Sequence, residues 1–281
     1  MYKYRKLLFK TCLSNLILTT SIVAMGLHSM SRTEAQSSTI KISQEKNQQS
    51  NTNTIKNTRF PNFKLPPISD GGAPTGRRKG GAGRPECPAA IAGITALVPG
   101  VGGKSVLAST VAENSSYWVY IPQLPKETRY GEFVLQEVSP DGDEEDIFRT
   151  RLTLPEKSGI IGITPPQKPQ YLLKEGNKYH MYFKVYCGNP EEKPEYFYVD
   201  AWIQRVRISS QLKSQLKGQP EDYVSYAKYN IWQDTISNLA ELRSQSPQNQ
   251  AIKRDWVDLL TAVGLEEVTQ AEIVKRYYFQ E

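Results

Sequence analysis

Histidine is almost missing from this 281-residue chain, which has two, and cysteine is scarce at three. So few metal-ligating side chains, none of them closely spaced, exclude zinc-finger and similar ligand-dense modules. Long apolar runs are missing too. The longest apolar stretch, Cys12 to Leu27, is interrupted by Ser14, Asn15, Thr19, Thr20 and Ser21. It falls short of the ~20 mostly apolar residues that a spanning helix needs. The third absence is one glycine. Gly100-Val101-Gly102-Gly103-Lys104-Ser105 resembles a phosphate-binding loop, but Val98 stands where that loop needs its first glycine. A glycine-rich connection between strands is the expected reading, and no cofactor is expected.

Positive charge is present but badly placed for nucleic acid. The formal charge is +6, yet residues 87–281 hold 21 basic against 25 acidic residues. The excess sits in residues 1–35 (five basic, one acidic) and 36–86 (nine basic, three acidic). Phosphate tracking needs a basic face interleaved with aromatics, and the chain shows none. No nucleic-acid partner is expected.

Lys3, Arg5, Lys6 and Lys10 precede the apolar stretch, and Thr33-Glu34-Ala35 follows it with small residues at the two positions a signal peptidase reads. This is the order of a secretory signal. Residues 1–35 are therefore expected to direct export to the periplasm or beyond, with no membrane span left after cleavage. An uncleaved N-terminal anchor is the alternative. Cleavage removes Cys12 and leaves Cys87 and Cys187 as an even pair. In an oxidising compartment such a pair is expected as a disulfide, with two buried free thiols as the alternative. Closing a loop of about 100 residues stabilises a fold by up to ~4.7 kcal/mol on the chain-entropy model.

Residues 36–75 are rich in Ser, Asn, Gln and Lys, then in Pro and Gly, and read as a disordered linker. The Pro/Gly-rich basic stretch through residue 86 reads as a flexible lead-in. From about residue 76 to 207, short apolar or alternating runs lie between turn residues. Tyr117–Pro122, Gly131–Glu137, Phe148–Leu154, Ile160–Thr164, Tyr179–Cys187 and Tyr196–Val206 are the clearest. Pro140-Asp141-Gly142-Asp143 is a hairpin signal. The acidic residues at and after it, Asp141 to Asp146, read as a solvated tip. This spacing predicts an antiparallel β-sandwich of immunoglobulin-like architecture.

Beyond Arg207 the apolar period becomes helical. Val224, Ala227, Ile231, Ile236, Leu239 and Leu242 predict an amphipathic helix of some 24 residues. Trp256, Leu259, Leu260 and Val263 predict another, ended by Gly264, and Thr269 with Glu272 has capping-box spacing for a last short one. The fold class expected is α+β, with residues 208–281 forming a helical region packed on the sandwich.

Tyr179, Met181, Phe183, Val185 and Cys187 share one face of their strand, and His180, Tyr182, Lys184 and Tyr186 share the other. The first is the core face. The second gains Tyr196, Tyr198, Asp200 and Trp202 from the next strand. Rings with polar tips suit protein or glycan contacts, so Tyr182, Tyr198, Trp202 and His180 are the candidate binding residues. The alternative is that the C-terminal helices cover this face as a second core layer. His180 as a general base beside Asp200 is a competing hydrolase reading. Glu132 with Asp200 is a possible carboxylate pair that nothing in the sequence brings together. A third reading is a scaffold acting through its helices, with Trp232 and Asp234 exposed for a partner.

Leu97-Val98-Pro99, Tyr117-Trp118-Val119-Tyr120-Ile121-Pro122, Glu132-Phe133-Val134-Leu135-Gln136 and Tyr179-His180-Met181-Tyr182-Phe183 resemble the cyanobacterial proteins that carry domain of unknown function 928. So do Cys187, Ala201-Trp202-Ile203-Gln204-Arg205, Tyr226-Ala227, Ile231-Trp232-Gln233-Asp234 and Trp256-Val257-Asp258-Leu259-Leu260, over about residues 76 to 270. The resemblance implies an exported protein and transfers no catalytic residue. The helix from Tyr226 to Leu242 is also similar to one helix of a tetratricopeptide unit, but only one such unit is visible where stacking needs about three.

Overall fold

The computed structural model describes residues 74–80, 87–192 and 194–279. The export segment read at 1–35, and all of the linker read at 36–75 except its last two residues, lie outside the described residues. Along the chain run β1 (Gly76–Arg77), β2 (Thr95–Ala96), β3 (Gly100–Val101), β4 (Lys104–Ser105), β5 (Ala108–Thr110) and β6 (Tyr117–Ile121). Then come β7 (Tyr130–Val138), β8 (Glu144–Thr153), β9 (Gly159–Thr164), β10 (Lys178–Tyr186) and β11 (Tyr196–Arg205). The helices α1 (Ser210–Lys213), α2 (Tyr223–Lys228), α3 (Trp232–Gln245) and α4 (Gln250–Ala262) precede a final strand, β12 (Ile273–Tyr278).

The strands form three sheets. A small one is ordered β1-β4-β3, a five-stranded one β5-β11-β10-β7-β8, and a four-stranded one β12-β9-β6-β2. The two larger sheets share one core, marked by Tyr117 of β6 and Phe133 of β7 with ring centroids 5.1 Å apart. Their sequences differ because their surroundings differ. Tyr117-Trp118-Val119 and Ile160-Ile161 are buried as unbroken runs, because the four-stranded sheet is covered on both faces. On the side away from the core, Trp118 Nε1 donates to Ser237 Oγ of α3 at 3.1 Å. Gly162 lies under the Trp118 ring, where an added Cβ would meet it at 2.7 Å, so the bulky indole fits only over glycine. In β10 burial alternates instead. Tyr179, Met181, Phe183 and Val185 are sealed in the core, and burying each is worth on the order of 1.5–3 kcal/mol.

The class is α+β, and the sandwich expectation needs two corrections. The described residues form three sheets, and two edge pairings are parallel: β5 on β11 and β12 on β9. The expected 24-residue helix is also divided. Asn230 takes φ 58° between α2 and α3, a left-handed conformation that asparagine tolerates better than most residues. The short helix expected after Thr269 is a strand. Thr269 Oγ1 bonds back to Glu266 O, and the β-branched and aromatic run from Ile273 to Tyr278 pairs beside β9.

The lead-in is ordered where it is described. Arg78 donates to Val263 O at 2.5 Å and Gly264 O at 2.8 Å, and β1 pairs with β4. The supposed phosphate loop is the β3–β4 hairpin, turned by Gly102 and Gly103 at φ 59° and 81°. Cys87 and Cys187 form a disulfide with Cα atoms 5.1 Å apart, tying the start of this region to the end of β10. Among the described residues no helix is long and apolar enough to cross a membrane.

Candidate functional site

The outer face of the five-stranded sheet gathers the polar and aromatic side chains of β7, β8, β10 and β11. Pairing sets His180 opposite Trp202, Tyr182 opposite Asp200, and Lys184 opposite both Tyr198 and Glu132. The helices bond elsewhere. Trp232 Nε1 donates to Leu97 O at 2.9 Å, and Asp234 accepts from Thr110 Oγ1 at 2.8 Å and Val111 N at 3.1 Å. Trp232 and Asp234 are thus buried in the join between α3 and the strands, and are not on display for a partner. Burial pushes the Asp234 carboxyl pKa up, against the bonds from Thr110 and Val111.

A bulge in β8 shapes the acidic edge of the face. Leu135 pairs with Phe148 and Gln136 with Asp146, which leaves Ile147 unpaired. Without this extra residue the alternation would turn Ile147 and Glu145 outward. With it, Asp146 and Glu144 share the outer face with Arg149. The acidic run is therefore not only a solvated tip. Glu144 Oε1 meets His180 Nδ1 at 2.8 Å, and His180 Nε2 meets Asp200 Oδ2 at 2.8 Å. Asp200 Oδ1 also accepts from Arg77 N at 2.9 Å. The imidazole lies between Trp202, stacked at 4.1 Å and 23°, and Tyr182, tilted at 4.1 Å. One residue thereby joins β8, β10, β11 and, through Asp200, the lead-in strand.

That geometry speaks against His180 as a general base. It is 6 % exposed, and both ring nitrogens face carboxylate oxygens. A neutral imidazole has one N–H, so making both bonds at once takes a second proton in the cluster. Neither nitrogen is left for a substrate. Glu132 is equally committed, with Oε1 2.6 Å from Arg149 Nη1 and 2.9 Å from Lys184 Nζ. Asp146 completes this network on Arg149 Nε at 2.7 Å. The pair Glu132 and Asp200 is thus divided between two separate charge clusters.

Between the clusters runs a line of tyrosines. Ring centroids are 6.1 Å apart for Tyr182 and Tyr198, 6.2 Å for Tyr198 and Tyr196, and 5.6 Å for Tyr196 and Tyr186. Lys184 Nζ sits 5.0 Å from the Tyr196 ring, and Arg77 Cζ 4.7 Å from that of Tyr198. Tyr182, Tyr198 and Trp202 are half-buried, and Tyr196 is 40 % exposed. Burial, and then the nearby Glu144, hold the Tyr182 phenol well above its ordinary pKa, so it remains a hydrogen-bond donor. A shallow groove of about 330 Å³ runs along the line, with Val134 and Gln136 also on its walls. Gln136 Nε2 is spent on Asp146, while its Oε1 is buried with no donor among the described residues.

The structure brings Tyr182, Tyr198, Trp202 and His180 onto one face, as their alternation in β10 and β11 indicates. Sequence reasoning missed Glu144, Arg149, Gln136 and Arg77, which reach the face through the bulge, the β7 register and the β1 crossing. Gln136 and Arg149 follow the alternation of β7 and β8, opposite to Leu135 and Phe148, whereas Glu144 and Arg77 carry no periodic signal.

The profile of one family, described as Domain of Unknown Function (DUF928), matches residues 76–273, more than two thirds of the chain. A search of curated proteins finds no match.

Proposed function

We propose that this chain, which belongs to the DUF928 family, is an exported cell-envelope protein that binds a neutral glycan strand along its tyrosine line, without catalysing a reaction on it. The observation that carries this reading is the groove beside Tyr182, Tyr198 and Tyr196, whose rings keep one polar tip and one apolar face each. Sugar rings offer the matching surfaces: C–H faces for stacking and hydroxyls for hydrogen bonds. The charged side chains here are already paired with one another, which suits hydroxyl partners better than a charged polymer. Gln136 and Val134 form the groove wall beside these rings, one polar and one apolar, as a sugar's hydroxyls and C–H faces require. His180 and Trp202 act from beneath, holding Tyr182 and Asp200 in place.

Export is supported by the signal-like N-terminal order and by the Cys87–Cys187 disulfide, since such bonds persist in oxidising compartments. The test is co-sedimentation of the disulfide-bonded protein with purified peptidoglycan sacculi and with an insoluble neutral glucan. Wild type is expected to pellet with at least one of them, and the Tyr182→Ala/Tyr198→Ala protein to stay in solution while folded. Equal pelleting of the two proteins, or none by wild type, would remove the glycan reading. A face specific for an envelope protein would then be the second choice.

A further inference from the structure

On the helical side of the molecule, Arg243 near the end of α3 and Trp256 in α4 line a cavity of about 470 Å³ that also touches the segment entering β12. That volume suits a small organic molecule better than a bare ion. The guanidinium lies 4.8 Å from the Trp256 ring centroid. It makes no hydrogen bond or ion pair to any described residue, and its Nη1 is buried. Trp256 is 0 % exposed, and its Nε1 is likewise buried without an acceptor.

Two desolvated donors on residues in ring contact are unusual, because buried N–H groups nearly always find an acceptor. Burial pushes the Arg243 pKa down, and the charge of Glu272 offsets this only in part. Glu272 is on the same wall but is held by Lys157 Nζ at 2.5 Å. Lys253 brings a second cation to the wall, with its Nζ 3.4 Å from Gln248 Oε1. The wall therefore offers donors and positive charge, and its one carboxylate is already paired.

We propose that this pocket binds an organic oxyanion, a carboxylate or a phosphate monoester, with Arg243 as the main partner, Lys253 as the second cation and the Trp256 indole as the supporting surface. The planar guanidinium fork matches two oxygens of either group, and stacking on the indole fixes its plane. This site is separate from the tyrosine line and does not depend on it.

The experiment titrates the full disulfide-bonded protein with inorganic phosphate, with phenyl phosphate, and with a short peptide bearing a free C-terminal carboxylate or its amidated twin. Thermal stability and tryptophan fluorescence are read together. At least one oxyanion is expected to raise Tm saturably, because a ligand that binds only the folded state stabilises it. The amidated peptide is expected to do nothing. Response to the peptide acid assigns a carboxylate ligand, and response to phenyl phosphate a phosphate ester. Arg243→Met, which keeps the stem over the indole, should weaken binding at least about tenfold, the loss expected for a charged hydrogen-bond partner. Lys253→Met, a change at the pocket rim, should weaken it about threefold and keeps the test open if Arg243→Met does not fold. Tyr198→Ala should leave oxyanion binding unchanged. Absence of any saturable response, equal response to the amidated peptide, response to inorganic phosphate alone, or wild-type affinity in either the Arg243 or the Lys253 variant would overturn the proposal.

Discussion

The two large sheets are built from similar residues and treated differently by the fold. β6 of the four-stranded sheet is buried on both sides, with the second sheet below Tyr117 and α3 above Trp118. β10 of the five-stranded sheet is buried on one side, and Tyr182 and Lys184 reach solvent on the other. Aromatic residues line both outward faces, so aromatic content alone does not separate core from surface. Placement of the helices does. They complete the core of one sheet and leave the tyrosine line of the other accessible, so rings such as Tyr196 and Tyr198 are not there to fill a core.

The largest expected effect comes from removing the cover. Deleting residues 208–281 takes away α3, α4 and the edge strand β12 together. The remaining strands are expected to be insoluble, whereas a separable helical scaffold would leave them soluble and cooperatively folded by thermal denaturation. Within the covered sheet, Trp118→Ala should cost about 3–5 kcal/mol in denaturant unfolding, the usual range for a sealed aromatic. Tyr198→Ala on the open sheet should cost within about 1 kcal/mol, as expected for a partly exposed side chain. Similar costs for the two would erase the distinction between the sheets.

His180→Ala tests the exception on the open face, since it strips a partner from two carboxylates, one of them nearly buried. About 3 kcal/mol is expected from breaking such a cluster. His180→Gln should recover part of it by donating to one oxygen. A cost near that of Tyr198→Ala would mean that the cluster is not what holds the face together.

The smallest effect lies at the join of α3 and β12. Glu241 is held below its ordinary pKa mainly by its hydrogen bond from Arg276, against a smaller effect of burial. A carboxylate whose folded pKa is depressed adds stability that is complete above its unfolded pKa, about 4.3 for glutamate, and is lost as pH falls through the lower folded value. Arg276→Met should therefore be less stable than wild type near neutrality by under about 1 kcal/mol, as for other partly exposed pairs. The gap should close with acid below about pH 4. A gap that stays constant with pH would assign the effect to lost packing of Arg276 on Trp118 and Tyr278.

Alternation made the face of β10 legible in the sequence, because a strand buried on one side sorts its residues with period two. The cysteine pairing was legible because only Cys87 and Cys187 remain once the expected N-terminal export segment is set aside. Register was not, and the contact of His180 with Asp200 depends on it. The role of Glu144 was hidden for a sharper reason. It depends on one unpaired residue, Ile147, and a bulge is a property of the pairing and not of the acidic run it redirects. The last strand was masked by a capping-box spacing between Thr269 and Glu272 that the backbone does not use, although Ile273-Val274 and Tyr277-Tyr278 are typical strand residues. Asn230 divides a helix whose apolar period continues across the break, so periodicity alone joined the two.

The central claim is that the open sheet face binds through its tyrosines. Its most direct test is a calorimetric titration of soluble, neutral oligosaccharides released from envelope polysaccharide into wild type and Tyr182→Ala/Tyr198→Ala at matched stability. The account predicts a saturable isotherm for wild type and an affinity loss of at least about tenfold for the variant, as for buried aromatic anchors in other interfaces. A variant that binds as wild type does, or a wild type that binds no oligosaccharide at all, would contradict it.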